Sequence, residues 1–145
     1  MIPDLTPDGV LPQGVHPASW AEVVDKFGWN ARRRSLLLGL SDALAALGLA
    51  GCARLWLDGS FVTSKELPED YDACWSHIGV NPALLDPVLA DFSDAGRVAR
   101  KSRYLGDLFL AGIERNSMLA FVDFFQQTRD GQAKGIVLLN PQENR

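Results

Sequence analysis

The sequence predicts an α+β fold, a small mixed β-sheet of about four strands with helices packed on it. Three observations predict it. Apolar stripes at the i, i+3, i+4 spacing of helices alternate with short apolar runs of strand length. Those runs lie near 55–58, 70–75, 104–111 and 135–139, each bounded by glycine, proline or aspartate turn residues. The helical stretch before Tyr104 is long enough for a crossover, so parallel pairing can accompany antiparallel pairing.

At 145 residues, with 47% hydrophobic and 22% charged residues, the chain has the composition of one ordinary globular domain with room for a core. A net charge of −4 gives no general attraction to nucleic acid, so any such contact must use a local patch. The two cysteines, Cys52 and Cys74, form no C-x-x-C and no metal spacing, and read as buried thiols more readily than as a disulfide. No signal peptide and no membrane-length apolar run is visible, so a cytoplasmic protein without a membrane partner is expected.

Residues 1–18 hold Pro3, Pro7, Pro12 and Pro17 and are predicted to form an extended arm, laid over the domain or used as an interface. Residues 19–145 are predicted to form the single domain. Ser19 and Glu22 have capping-box spacing, and Trp20, Val23, Val24 and Phe27 make a buried stripe that stops at Gly28. Asn30 caps a longer helix to about Leu49, with Leu37, Leu40, Leu44 and Leu47 inward. Arg32, Arg33 and Arg34 fill its first turn, where the helix dipole disfavours cations. They read as a solvated basic turn or as a contact for phosphate, nucleic acid or an acidic partner.

The informative stretch comes next. Leu55 to Asp58 is a buried strand ended by Gly59-Ser60. Residues 61–69 are a loop broken by Pro68. Asp70 to Trp75 alternates, which puts Asp70, Asp72 and Cys74 on one face. Two carboxylates two residues apart on a strand repel unless a proton or a cation sits between them. Rigid oxygen ligands suit Mg²⁺, which usually takes one or two carboxylates plus substrate phosphates. Gly59 allows close approach of backbone to a phosphate, and Ser60 offers a hydroxyl and an amide. Asp58 reads as a cap on the loop backbone or as a fourth site acid. Lys65 is a solvated loop lysine or a reach toward a nucleotide phosphate.

Asn81-Pro82 predicts a helix start, with Leu84, Leu85, Val88, Leu89 and Phe92 as its buried stripe. Residues 94–102, a polar helical piece, lead into Arg103. Here Arg97, Arg100, Lys101 and Arg103 form the densest basic run, read as a solvated helix face or as a triphosphate or nucleic-acid contact. The strand predicted at Tyr104–Ala111 is apolar except for Asp107, a charge that is costly there unless paired or metal-bound. Ser117–Gln127 is predicted helical, with Met118, Phe121, Val122 and Phe125 inward. Asp130-Gly131 is a hairpin-like turn, and 135–139 is the closing strand. Lys134, just before it, is a phosphate contact or an edge-strand guard.

An apolar strand, Gly59-Ser60, a loop, Asp70-x-Asp72 on the next strand and a later strand acid together resemble the nucleotidyltransferase superfamily typified by DNA polymerase β. The phrase from Leu57 to Trp75, with Arg129-Asp130-Gly131 and Lys134 to Val137, also resembles a small, poorly characterised bacterial family usually assigned to that superfamily. The resemblance implies transfer of a nucleoside monophosphate from a nucleoside triphosphate to a hydroxyl. It implies Asp70, Asp72 and Asp107 as catalytic ligands of two Mg²⁺ ions, with Mn²⁺ as the alternative, and Asp107 as the base. Gly59 and Ser60 would hold phosphates, joined by Lys65, Lys101 and Arg103. Phe61 departs from the pattern, since minimal members carry small residues, an arginine and a second glycine after Gly-Ser. Minimal members work as oligomers or with a partner chain, and the acceptor can be protein or nucleic acid. A toxin–antitoxin or antiviral-defence setting is implied as well. A non-catalytic, antitoxin-like binding partner and a nucleotide-sensing module are the alternatives.

Overall fold

The computed structural model describes residues 1–112, 123, 126–128 and 130–143. Among these residues the fold is α+β, with three α-helices and a five-stranded mixed sheet. The strands are β1 (Gly14–Pro17), β2 (Leu55–Asp58), β3 (Tyr71–Trp75), β4 (Gly106–Leu110) and β5 (Gly135–Leu139). Their order in the sheet is β1-β5-β2-β3-β4. Pairing is antiparallel at β2–β3 and β2–β5, and parallel at β1–β5 and β3–β4.

The fifth strand comes from the proline-rich arm. Gly14 to Pro17 adds β1 at the edge of β5, where Pro17 ends the strand. Ile2 and Leu11 are buried in the main core, so residues 1–18 belong to the domain rather than standing apart from it.

Helix α1 (Trp20–Phe27) starts at the capping box of Ser19 and Glu22, and α2 (Ala31–Leu49) starts at Asn30, whose side chain accepts from the Arg33 amide. Val23 and Phe27 of α1 and Leu36, Leu40, Leu44 and Leu47 of α2 pack on one sheet face, against Leu55, Leu57, Tyr71, Ala73, Leu108, Val137 and Leu139. Val24, expected inward, is exposed. The opposite face carries a smaller cluster of Cys74 and Ile136 with Val15, Trp56, Phe109 and Ala111. Both cysteines are buried free thiols.

Of the two helical pieces predicted between β3 and β4, only the second is a regular helix. Asp86 is extended before Pro87, as residues preceding proline prefer, and only a 3₁₀ turn, Pro87–Ala90, follows. Leu89 is buried, but Leu84 and Phe92 are exposed. The regular helix is instead the polar piece, α3 (Asp94–Tyr104), N-capped by Ser93. It runs through Tyr104, and Leu105 turns it off in a left-handed conformation (φ 64°), so the strand begins at Gly106 and not at Tyr104. The Tyr71 hydroxyl donates to the Tyr104 carbonyl at 2.8 Å, tying the helix end to β3. Gly106 sits under the Tyr71 ring, where a Cβ would lie 2.5 Å from ring atoms.

Around Asp130-Gly131 a turn is closed by Thr128 and Gln132, with Gly131 at φ 81°. Most of the helix predicted at Ser117–Gln127, including Met118, Phe121, Val122 and Phe125, and the Arg129 of the bacterial-family phrase, lie outside the described residues.

Candidate functional site

Three aspartates meet in one row across three strands. Asp58 of β2 is the register partner of Asp72 of β3, and Asp72 is the register partner of Asp107 of β4. Register partners project from the same sheet face, on strands about 4.8 Å apart. Asp70, expected on this strand, lies one residue before β3 and is joined to Asp107 through Lys101. All four carboxylates therefore stand at one end of the sheet, on the face opposite α1 and α2.

The cations come from two other places. The Arg97 Nε and Nη2 donate to Oδ1 and Oδ2 of Asp107, both at 3.2 Å. The Lys101 Nζ lies 2.9 Å from Asp70 Oδ2 and 3.9 Å from Asp107 Oδ2. Both belong to α3, four residues apart, so one helix face reaches the acids. Lys134, just before β5, sits 3.0 and 3.2 Å from the two oxygens of Asp58. That pair is buried: the Asp58 side chain is 4% exposed and the Lys134 side chain 12%.

Asp72 is different. No hydrogen bond or ion pair reaches its carboxylate among the described residues. Burial first, then the charges of Asp70, Asp58 and Asp107, push its carboxyl up to about 6, and Lys134 offsets this only in part. Burial also raises Asp58 to about 6, against the pull of Lys134 and the Gly59 amide. Among the described residues four acids face three cations, and the uncompensated charge falls on Asp72.

The Gly59 loop abuts this carboxylate. Gly59 has φ 84°, in the region that favours glycine, and a Cβ there would lie 2.8 Å from Asp72 Oδ2. Ser60 opens a short 3₁₀ turn, Ser60–Val62. Phe61 does not crowd the site. Its side chain is fully buried on the other side of the loop, with its ring centroid 5.9 Å from that of Phe27.

The loop is held from behind by the start of α2. Arg33 is completely buried, and its guanidinium donates to the carbonyls of Phe27, Phe61, Thr63 and Lys65. Arg32 donates to the carbonyls of Pro68 and Glu69, and Asn30 to that of Glu66. Arg33 is thus not part of a solvated turn, while Arg32 and Arg34 are exposed, as a solvated basic turn would have them. Arg33 and Arg32 are the frame of the Gly59–Glu69 loop.

The structure brings Asp70, Asp72, Asp107, Gly59 and Lys101 together, with Ser60 next to them. Arg103 is not with them: it points to Asp86 at 3.5 Å, beside the Tyr104 ring. Arg100 is turned away too, buried and donating to the carbonyls of Val88 and Asp91. Lys65 is exposed on the loop, and no contact joins its side chain to the acids. Arg97 was legible only as one member of a basic run. Its spacing from Lys101 would have singled it out once 94–104 was read as one regular helix.

Residues 3–140 match the model of a family of unknown function, DUF6932. No curated protein and no solved structure matches the chain. No helix among the described residues is long and apolar enough to cross a membrane.

Proposed function

The chain belongs to the DUF6932 family, whose function is unknown, and we propose an activity from its site: divalent-metal-dependent transfer of a nucleoside monophosphate from a nucleoside triphosphate to a hydroxyl, on a nucleotidyltransferase-like fold. The observation that carries this reading is the register row of Asp72 and Asp107, with Asp70 beside it and Asp72 without a contacting cation among the described residues.

The donor types suit the metal. Asp72 and Asp107 on the sheet and Asp70 just before β3 offer hard oxygens, and the repulsion on Asp72 is what a bound cation relieves. Among the described residues these acids are not gathered closely enough to hold an ion as they stand. Asp70, Asp72 and Asp107 would hold Mg²⁺, or Mn²⁺ in its place, which supplies charge neutralisation at the attacking and leaving oxygens of a phosphoryl displacement. Gly59, with no side chain, lets the loop backbone lie directly against the Asp72 carboxylate. Ser60 donates its hydroxyl to a phosphate oxygen. Asp107 accepts the proton of the acceptor hydroxyl, a role worth roughly 10²–10⁴-fold. The acceptor is a protein, a nucleic acid or a second nucleotide.

Incubation with each labelled ribo- and deoxyribonucleoside triphosphate, with and without Mg²⁺, tests the proposal. Calorimetry on the same set reports binding separately. We expect Mg²⁺-dependent heat for at least one triphosphate. No heat and no thermal shift for any of them would overturn it.

One observation favours a second reading. Asp70 and Asp107 already carry Lys101 and Arg97, as they would in an inert fold that serves as an antitoxin-like partner. That reading expects no divalent-metal binding at any nucleotide concentration.

A further inference from the structure

We propose that Arg97 and Lys101 form a counter-ion lock on the acid row: they exclude a free divalent cation, and they pass to the triphosphate when metal and nucleotide arrive together. This rests on the nucleotidyltransferase reading and adds a regulatory step to it.

The first ground is position. The Arg97 fork covers both oxygens of Asp107, and the Lys101 ammonium sits between Asp70 and Asp107. These are the oxygens a shared ion would take, at roughly 2.0–2.1 Å for Mg²⁺. An ammonium 2.9 Å from the same oxygen and a bound dication cannot share that space without strong repulsion.

The second ground is contrast within the site. Arg97 and Lys101 are 58% and 51% exposed, on long flexible stems from one face of α3. Ion pairs of that kind hold weakly and exchange readily. The third cation, Lys134, is buried with Asp58 and is fixed. The site thus has one permanent counter-ion and two that can leave. Among the described residues no cation contacts Asp72, and so it marks where an incoming cation gains most.

The third ground is charge balance. A free dication would have to displace two cations and give up their ion pairs to the acids, with only water in exchange. A metal–triphosphate complex brings its own acceptors: the acids take the metal, and the phosphates take Arg97 and Lys101. Metal and nucleotide then bind with positive and reciprocal coupling.

The test compares the wild type with the Arg97→Met, Lys101→Met double variant. Mn²⁺ binding is followed by electron paramagnetic resonance, alone and with each of the four α,β-methylene ribonucleoside triphosphates. The double variant should bind Mn²⁺ alone about tenfold or more tighter than the wild type, and the Mn²⁺–nucleotide complex about tenfold or more weaker. Arg97→Lys with Lys101→Arg keeps both charges and should restore exclusion of the free ion. If the double variant does not fold, the single variants carry the same comparison. Equal Mn²⁺ affinity in wild type and variants would overturn the lock while leaving the proposed activity standing. No Mn²⁺ binding by any of the proteins, with or without nucleotide, would overturn both.

Discussion

Asp72 and Asp58 both have carboxyls raised to about 6, and they carry opposite expectations. Among the described residues Asp72 has no partner to lose. Its folded pKa lies above its ordinary 3.8, so between about pH 4 and pH 6 the folded chain holds a proton that the unfolded chain has released. Stability therefore falls as pH rises through that window, and the penalty is complete above it. Asp72→Asn should raise stability at pH 7 by about 1–3 kcal/mol and abolish nucleotidyl transfer. Urea denaturation at pH 7 and pH 4 checks it, since the gain should shrink at the lower pH. Asp58→Ala should do the reverse, because it strands Lys134 in a buried position. A loss of about 3–5 kcal/mol is expected, read by the same denaturation at pH 7. An Asp72→Asn variant that failed to fold would show that this acid serves the core and not a site.

At the scale of elements, the Gly59–Glu69 loop is built by α2 and presented to β3. Among the described residues Arg33 does this with no carboxylate partner, its guanidinium desolvated, satisfied by backbone carbonyls and stacked near the Trp29 and Phe61 rings. Arg33→Met would leave those carbonyls unpaired, and a loss of about 3 kcal/mol or more is expected. Arg33→Lys keeps a charge but cannot fork, and should be intermediate. Amide exchange across 59–65 should quicken in both variants before global unfolding. Gly59→Ala tests the other side of the loop. It combines a positive φ with a Cβ pressed on the Asp72 carboxylate, so it should weaken triphosphate binding more than it lowers the melting temperature. Titration calorimetry beside a thermal melt separates the two effects.

Over the whole molecule, one sheet divides two tasks. Its α1 and α2 face holds the main core, and its other face carries the acid row at one end beside the Cys74–Ile136 cluster. The parallel β3–α3–β4 unit lets a single crossover deliver both Asp107 and the two cations that meet the acids. Divalent-metal binding should therefore follow the ionisation of Asp72. Affinity for the metal–triphosphate complex is expected to fall as pH drops below about 6, where Asp72 gains its proton. Calorimetry between pH 5 and pH 8 measures this. Asp72→Asn should show neither the affinity nor the pH dependence.

The sequence by itself determined the parts whose signals are local. The capping box of α1, the Asn30 cap of α2, the buried strands and the Gly59-Ser60 and Asp70-x-Asp72 phrase are each set by neighbours a few residues apart. Asp107 stood out as well, because a charge in an apolar strand is visible without knowing its partner. Tertiary structure alone decided the rest. Strand register put Asp58, Asp72 and Asp107 in one row, and no local pattern encodes which residue of one strand faces which of another. Burial turned Arg33 from a surface charge into the frame of a loop. It also turned Phe61 away from the site that its place in the chain had seemed to crowd. Arg97 and Arg103 differ little in sequence context, yet six residues along a helix amount to more than one and a half turns, and only the packing of α3 on the sheet points the first at Asp107 and the second at Asp86.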